Sequence, residues 1–252
     1  MTLYLIGIGL ENEKDISVKG LDIVKKCDVV YLERYTSLLQ CSAHDLAKFY
    51  GKEIVLADRT TSEQGDHTIV AEAKDKDVAF LVIGDPFSAT THIDLFKLAK
   101  EENVAVEVVH NASILNAIGI VGLQLYKYGK TTSIPYLDDH PNLETPYRIV
   151  QQNKRIGAHT LLLLDIQTHK DRFMSVTEAI VVLEDIEKRV GEKVITDDLR
   201  VVGCARLGTA DFMVKAGPLS EMKKIDFGKP PHCLIIPGKM HFIEEEMLEL
   251  WR

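Results

Sequence analysis

The first half of the chain alternates between two hydrophobic periods. Largely apolar runs at 3–9, 27–32, 53–56, 78–83 and 104–109 predict strands. Stretches at 18–26, 43–50, 66–75 and 91–101 place apolar residues three or four positions apart and predict helices between those strands. A further helix is expected from about Ser113, continuing through 114–125. Strands alternating with helices of this length imply right-handed βαβ units and a parallel sheet. Within it, Val78-Ala79-Phe80-Leu81-Val82-Ile83 is apolar at every position, as a strand covered on both faces must be.

The pattern changes in the second half. A loop rich in proline and acid, Ile134-Pro135-Tyr136-Leu137-Asp138-Asp139-His140-Pro141, precedes a predicted helix at 145–155, a strand at 160–165 and a long amphipathic helix at 177–189. Closely spaced strands follow at 200–205, 211–215 and 232–237, closed by a helix at 242–250. Such spacing favours an α+β arrangement with mixed pairing. The expected fold is α/β in two domains. Residues 1–112 form a largely parallel sheet with flanking helices, residues 113–252 form a mixed-sheet domain, and a ligand cleft lies between them.

Composition narrows the functional classes. The chain has 252 residues and a formal charge of −8, with its 30 basic residues scattered, so a nucleic-acid partner is not expected. No apolar run reaches the ~18 residues that a membrane span needs. The opening Met-Thr-Leu-Tyr-Leu-Ile-Gly has no basic region and already reads as a strand, so no secretory leader is expected. Cys27, Cys41, Cys204 and Cys233 lie far apart and fit reduced intracellular thiols.

Three turns carry candidate chemistry. After the buried run comes Gly84-Asp85-Pro86-Phe87-Ser88-Ala89-Thr90-Thr91-His92. Pro86 keeps Asp85 out of helical backbone, so its carboxylate sits at a strand's carboxyl end, the edge where open α/β sheets bind ligands. An ordinary strand-ending turn accounts for the same residues. Gly7-Ile8-Gly9 follows the first strand, but Asn12 stands where a dinucleotide fingerprint needs its third glycine, and Glu33 alone does not restore that fingerprint. The two glycines still let backbone pass close to a ligand or a neighbour. In His110-Asn111-Ala112-Ser113-Ile114, Ser113 suits a helix N-cap, and the turn lies at a third strand's carboxyl end. Three turns at one edge of one sheet can share a ligand.

In the second half, residues 161–164, Ala205-Arg206-Leu207-Gly208 and Pro230-Pro231-His232-Cys233-Leu234 are candidate walls, although core or turn roles explain each singly. Asp138-Asp139-His140 reads as a solvated acidic loop rather than a metal site. The H-E-x-x-H, G-x-S-x-G and G-x-x-x-x-G-K-[ST] motifs are absent, which removes the usual anchors of metalloenzyme, hydrolase and kinase readings.

Taken together, Leu3-Tyr4-Leu5-Ile6-Gly7-Ile8-Gly9-Leu10, the Gly84 to His92 block, the Asn111 to Ile114 turn, and Pro230-Pro231-His232 running to Ile236-Pro237-Gly238-Lys239 resemble the tetrapyrrole-methylase-like family of S-adenosylmethionine-dependent methyltransferases. Lys19-Gly20-Leu21 and Thr36-Ser37-Leu38 make the chain similar to its diphthamide-biosynthesis members rather than its porphyrin and corrin methylases. The resemblance covers essentially the whole chain. It implies S-adenosylmethionine contacts at Leu10, Asp85, Ser88, Ser113, Ile114, Leu164, Leu207 and His232. Ser88 departs from the small apolar residue of the family, which puts a side-chain role there in doubt. The implied reaction is repeated methylation of the amino group of a 3-amino-3-carboxypropyl-histidine in translation elongation factor 2. The implied setting is a cytoplasmic homodimer with no metal, nucleic acid or membrane. No catalytic base is assigned. A tetrapyrrole or corrin methyltransferase, and a non-catalytic S-adenosylmethionine-binding module, stay open as alternatives.

Overall fold

The all-apolar run becomes the middle strand of the first sheet. The protein is described by a computed structural model covering residues 1–33, 37–57, 67–138 and 140–252. Strands β1 (Thr2–Gly7), β2 (Val29–Glu33), β3 (Val55–Ala57), β4 (Val78–Val82) and β5 (Ala105–Val109) pair in the order β3-β2-β4-β1-β5. Every pair is parallel. β4 buries all five of its residues, whereas the edge strand β5 buries only Val109.

Helices α1 (Val18–Val24), α2 (Ala43–Tyr50), α3 (helical residues 67–72) and α4 (Ile93–Glu101) fill the crossovers. The chain moves one way along the sheet from β1 to β3 and back the other way from β3 to β5. Right-handed crossovers therefore put α1 and α2 on one face and α3 and α4 on the other. The two cores follow that rule. Ile6, Val30 and Leu81 pack with Val24, Leu46 and Tyr50, while Leu5, Phe80 and Val82 pack with Ile69, Leu95 and Ala99. Successive strand residues point to opposite faces, which is why neighbours such as Phe80 and Leu81 serve different cores.

The chain divides into two units, Met1–Ala117 with Gly208–Ala210, and Ile118–Leu207 with Asp211–Arg252. The first unit ends with α5 (Ile114–Ala117), a single turn held by the Ala117 N–H bonding to the Ser113 carbonyl, so the chain changes units five residues after Ala112.

The second unit contains β6 (Thr132–Ile134), α6 (Thr145–Arg155), β7 (Thr160–Leu164), β8 (Ile166–Gln167), β9 (Arg172–Phe173), α7 (Val176–Val190), β10 (Arg200–Ala205), β11 (Met213–Pro218), α8 (Leu219–Met222), β12 (His232–Ile236) and α9 (Phe242–Glu249). Its main sheet runs β11-β10-β12-β7-β6, antiparallel except for β6 beside β7. α7 begins with a Ser175–Glu178 capping box and ends at Gly191. Between those caps, Ile180, Leu183 and Ile186 pack onto Leu162, Val201 and Leu234 of the sheet.

Several predicted elements are corrected. The helix expected through 114–125 stops after α5 and gives way to 3-10 turns at Ile118–Val121 and Leu125–Lys127. Gly122 ends the run, because it adopts φ +94° and a Cβ there would lie 2.5 Å from Met247 Cβ. The strand expected at 211–215 begins at Met213, since the Asp211 carbonyl accepts from Arg206 Nη2 at 2.9 Å, which holds that residue in the preceding turn. β6, the short β8–β9 pair and α8 carry too few residues to show a period. Thr36, Asp66 and Asp139, which figured in the sequence reading, lie outside the described residues. Asp138 bonds to Arg172, and among the described residues no His/Cys/Asp/Glu group could hold a metal ion.

Candidate functional site

The loops after β1 and β4 meet in the first unit through two glycines. The Gly9 N–H donates to the Gly84 carbonyl at 3.3 Å and the Gly84 N–H returns to the Gly9 carbonyl at 2.8 Å. Both residues have positive φ, +80° and +84°, which glycine adopts without the Cβ penalty. Gly84 is buried, and its neighbours close to ordinary van der Waals distance. A Cβ there would meet nothing closer than the Ala112 carbonyl oxygen at 3.7 Å, with Leu10 Cδ2 and Ser113 Cα at 3.9 Å. Leu10, Gly84 and Ser113, from three loops, therefore line one cradle. Leu10 packs over Gly208, and beside it a cavity of about 410 Å³ is bordered by Gly9, Leu10, Asn111, Ala112 and Gly208.

Asp85 locks this arrangement. Its Oδ1 accepts from the Phe87 N–H at 3.0 Å and the Ser88 hydroxyl at 3.0 Å. Its Oδ2 lies 2.8 Å from His110 Nδ1 and accepts from the Asn111 N–H at 3.2 Å. Burial pushes the carboxyl up, but the Phe87 amide, His110, the Asn111 amide and Ser88 outweigh it and hold Asp85 below the ordinary aspartate value. The side chain thus staples the loop after β4 to the loop after β5. Asn111 adds a second staple, its Nδ2 donating to the Gly7 carbonyl at 2.9 Å and the Asp15 carbonyl at 3.0 Å. Asp15 Oδ2 in turn accepts from the Leu10 and Glu11 amides at 3.1 and 2.7 Å. Ser113 Oγ accepts the Leu115 N–H at 3.2 Å, so it does cap the turn it opens.

In the second unit, Leu164, Leu207 and His232 also gather at one sheet edge. Leu164 is the last residue of β7, His232 the first of β12, and Ala205, the last of β10, pairs with His232. Leu207 lies two residues beyond. His232 Nε2 sits 3.0 Å from the Lys229 carbonyl, and its Nδ1 is buried with no hydrogen-bond partner among the described residues. Burial holds this imidazole below the ordinary histidine value, so at neutral pH Nδ1 is an open acceptor. Arg206, with φ +50°, fixes the surrounding loops by bonding Asp211 and the Phe227 carbonyl.

Within each unit the structure brings the named residues to one edge: Leu10, Asp85, Ser88, Ser113 and Ile114 in the first, Leu164, Leu207 and His232 in the second. Sequence reasoning missed Asp15, His110, Asn111 and Arg206 as the residues that hold the loops. His110 and Asn111 stood in a recognised turn, but bonds from Asn111 to Gly7 and from His110 to Asp85 span chain distances that no local pattern records.

The chain matches a family model of the Tetrapyrrole (Corrin/Porphyrin) Methylases over residues 2–223, and it belongs to that family of methyltransferases. Its relatives are more specific. The chain is 47% identical over 271 aligned residues to the "Probable diphthine methyl ester synthase" of Arabidopsis thaliana, covering 99% of this chain and 98% of that one. It is 44% identical to the diphthine methyl ester synthase of Saccharomyces cerevisiae, covering 98% and 88%. A crystal structure of diphthine synthase superposes with a TM-score of 0.91 at 37% identity, covering 100% of this chain and 96% of that one. The resemblance carried by the opening strand and the Asp85 and His232 blocks is borne out, as are the two-unit α/β fold and methyltransferase activity. Among the described residues, no helix is long and apolar enough to cross a membrane.

Proposed function

We propose that this methyltransferase takes S-adenosylmethionine as donor and methylates the 3-amino-3-carboxypropyl-histidine of translation elongation factor 2, as a step of diphthamide biosynthesis. The observation that carries this reading is full-length similarity to diphthine methyl ester synthases at 47% and 44% identity. Their name adds an acceptor to the one expected from sequence, because a methyl ester requires transfer to a carboxylate as well as to an amine. We propose Leu10, Asp85, Ser88, Ser113, Ile114, Leu164, Leu207 and His232 as the donor-binding residues.

The residues present suit such a ligand on two counts. Glycine at 84 lets the Leu10 and Ala112–Ser113 loops pack against its backbone, which would give a ligand at this sheet edge a floor free of side chains. The unpartnered His232 Nδ1 is an acceptor suited to the N–H and O–H groups of a nucleoside. S-Adenosylmethionine, when bound, supplies a sulfonium-activated methyl group. The chain's own residues then have mainly to hold and orient, an effect able to supply up to about 7–11 kcal/mol of barrier reduction. Asp85 does so indirectly, since its bonds to Phe87, Ser88, His110 and Asn111 fix the loops while their backbone faces the cradle. An α-amino acceptor titrates near about 8, so a neutral fraction is present without a dedicated base, and an α-carboxylate is already ionised at neutral pH.

The exposed apolar residues Leu115, Ile120 and Leu125 support a homodimer, and an elongation-factor substrate supports a cytoplasmic location. Light scattering tests the dimer. Incubation with labelled S-adenosylmethionine and either modified elongation factor 2 or a precorrin tests the acceptor. Label in the elongation factor alone is the expected result, and label in the precorrin alone would refute the assignment.

A further inference from the structure

The second unit holds a groove of about 550 Å³ at the strand ends opposite Leu164 and His232. Three segments wall it: Tyr126 to Gly129, Ile156 to Ala158 before β7, and Lys239 to His241 after β12. Their backbones are fixed to one another. The Gly129 N–H donates to the His159 carbonyl, the Lys239 N–H to the Gly157 carbonyl and the Gly238 N–H to His159 Nδ1, each at 2.9 Å. Fully buried Glu244 accepts from His159 Nε2 and pairs with Lys127. Charge sets the groove apart. All 38 acidic residues of the chain lie outside 108–137, 145–164 and 227–243, and each of those stretches supplies one wall. The same stretches carry Lys127, Lys130, Lys154, Arg155 and Lys239, so a chain of net charge −8 presents a basic face here. Glu244 neutralises Lys127, while Lys130 and Lys239 stay exposed. The rim is also apolar. Tyr126, Ile156 and Phe242 are 83%, 77% and 61% exposed, and the Phe242 ring lies 4.3 Å from that of His241 between centroids. Large apolar side chains left in water around a rigid polar groove mark an interaction surface.

We propose that this groove docks an acidic surface of the protein substrate, with Tyr126, Ile156 and Phe242 as apolar anchors and Lys130 and Lys239 as the charges that steer it. The inference rests on the function proposed above and names where the elongation factor is held apart from its modified histidine. Rim charges of this kind speed encounter and reject basic partners, while exposed aromatic and aliphatic anchors set the dissociation rate. Walls already fixed by hydrogen bonds lose little freedom on binding. A nucleic acid fits less well, because Ile156 gives a base no ring to stack on. A second copy of the chain fits less well too, since a face-to-face contact would set like charges against each other.

The test measures Kd and KM for modified elongation factor 2 in Tyr126→Ala, Ile156→Asp and Lys239→Glu. Each is expected to raise both roughly 10-fold, the effect of losing an interface anchor. S-Adenosylmethionine affinity by calorimetry should stay within about twofold, which also reports an intact fold, because the groove lies at the far strand ends. Lys239→Arg should keep wild-type values, and the Lys239→Glu loss should shrink as salt is added. Lys97→Glu makes the same change in net charge on α4 of the first unit, where the side chain is 73% exposed, and should leave both constants unchanged. Unchanged Kd in Tyr126→Ala or Ile156→Asp overturns the assignment, as does an equal loss in Lys97→Glu. Dissociation of an oligomer in light scattering of these variants overturns it in favour of a second copy. Loss of single-stranded RNA binding with affinity for the factor intact overturns it in favour of nucleic acid. If the wild-type chain neither binds nor methylates the factor, the proposed function itself fails, a result distinct from these.

Discussion

Asp85→Asn separates the loop staple from everything else in the first unit. The native carboxylate takes four donors: the amides of Phe87 and Asn111, the Ser88 hydroxyl and the His110 ring. Hydrogen bonds to a charged group contribute about 1.5–3 kcal/mol each, but the four do not add. The His110 side chain is 70% exposed and exchanges its bond for water at little cost. The Ser88 hydroxyl rotates. The two amides cannot relocate, and asparagine presents an NH₂ where one of them needs an acceptor. The expected loss is therefore about 2–4 kcal/mol, confined to the first unit. Amide hydrogen exchange of β4 and β5 reads that unit separately, and calorimetry should show weaker S-adenosylmethionine binding in the same variant. The pH dependence has a definite sign. Asp85 titrates below the ordinary carboxylate value, so its stabilisation is complete above about pH 4 and is lost as pH falls through the folded value. The gap between wild type and variant should hold from neutral pH down to about 4 and close below it. Exchange free energies equal to wild type at pH 7, with unchanged donor affinity, would refute the staple.

Three further outcomes are expected. Gly84→Ala should cost about 1 kcal/mol, because alanine disfavours φ +84°, and should also weaken S-adenosylmethionine binding, because its Cβ occupies the cradle; calorimetry on the folded variant checks this. Burial pushes the His92 imidazole down to about 4, so folded stability should fall by about 3 kcal/mol as pH drops from about 6.5 to 4. Urea titrations of His92→Phe should lack that slope. In the second unit, buried Glu244 accepts from Lys127, the Gln124 amide at 2.9 Å, the His241 amide at 2.7 Å and His159 Nε2 at 3.0 Å. Burial raises its carboxyl, but these donors prevail and set it at about 2, so its stabilisation is complete above about pH 4.3 and is lost as pH falls toward 2. Glu244→Gln should cost about 2–3 kcal/mol in urea unfolding, since it takes the charge from a buried acceptor of several hydrogen bonds and leaves the partly exposed Lys127 without its counter-charge.

What was legible in the sequence follows from where the forces are local. β4 was readable because a strand covered on both faces must be apolar throughout, and α7 because its caps and its stripe both lie within one segment. The turns after Gly9, Asp85 and Asn111 were readable as strand ends through glycine and proline. Their joining was not, because the Gly9–Gly84 bridge and the bond from Asn111 to Gly7 depend on β1 lying between β4 and β5. The helix expected through Leu125 failed for a related reason. Its apolar positions carry helical spacing, but Gly122 packs against Met247, which is distant along the chain.

The most direct test of the central claim is mass spectrometry of modified elongation factor 2 after incubation with this chain and isotopically labelled S-adenosylmethionine. The account predicts successive labelled methyl groups on the modified histidine, with the last one removed by mild base as an ester. An elongation factor of unchanged mass, with intact protein and donor, would contradict it.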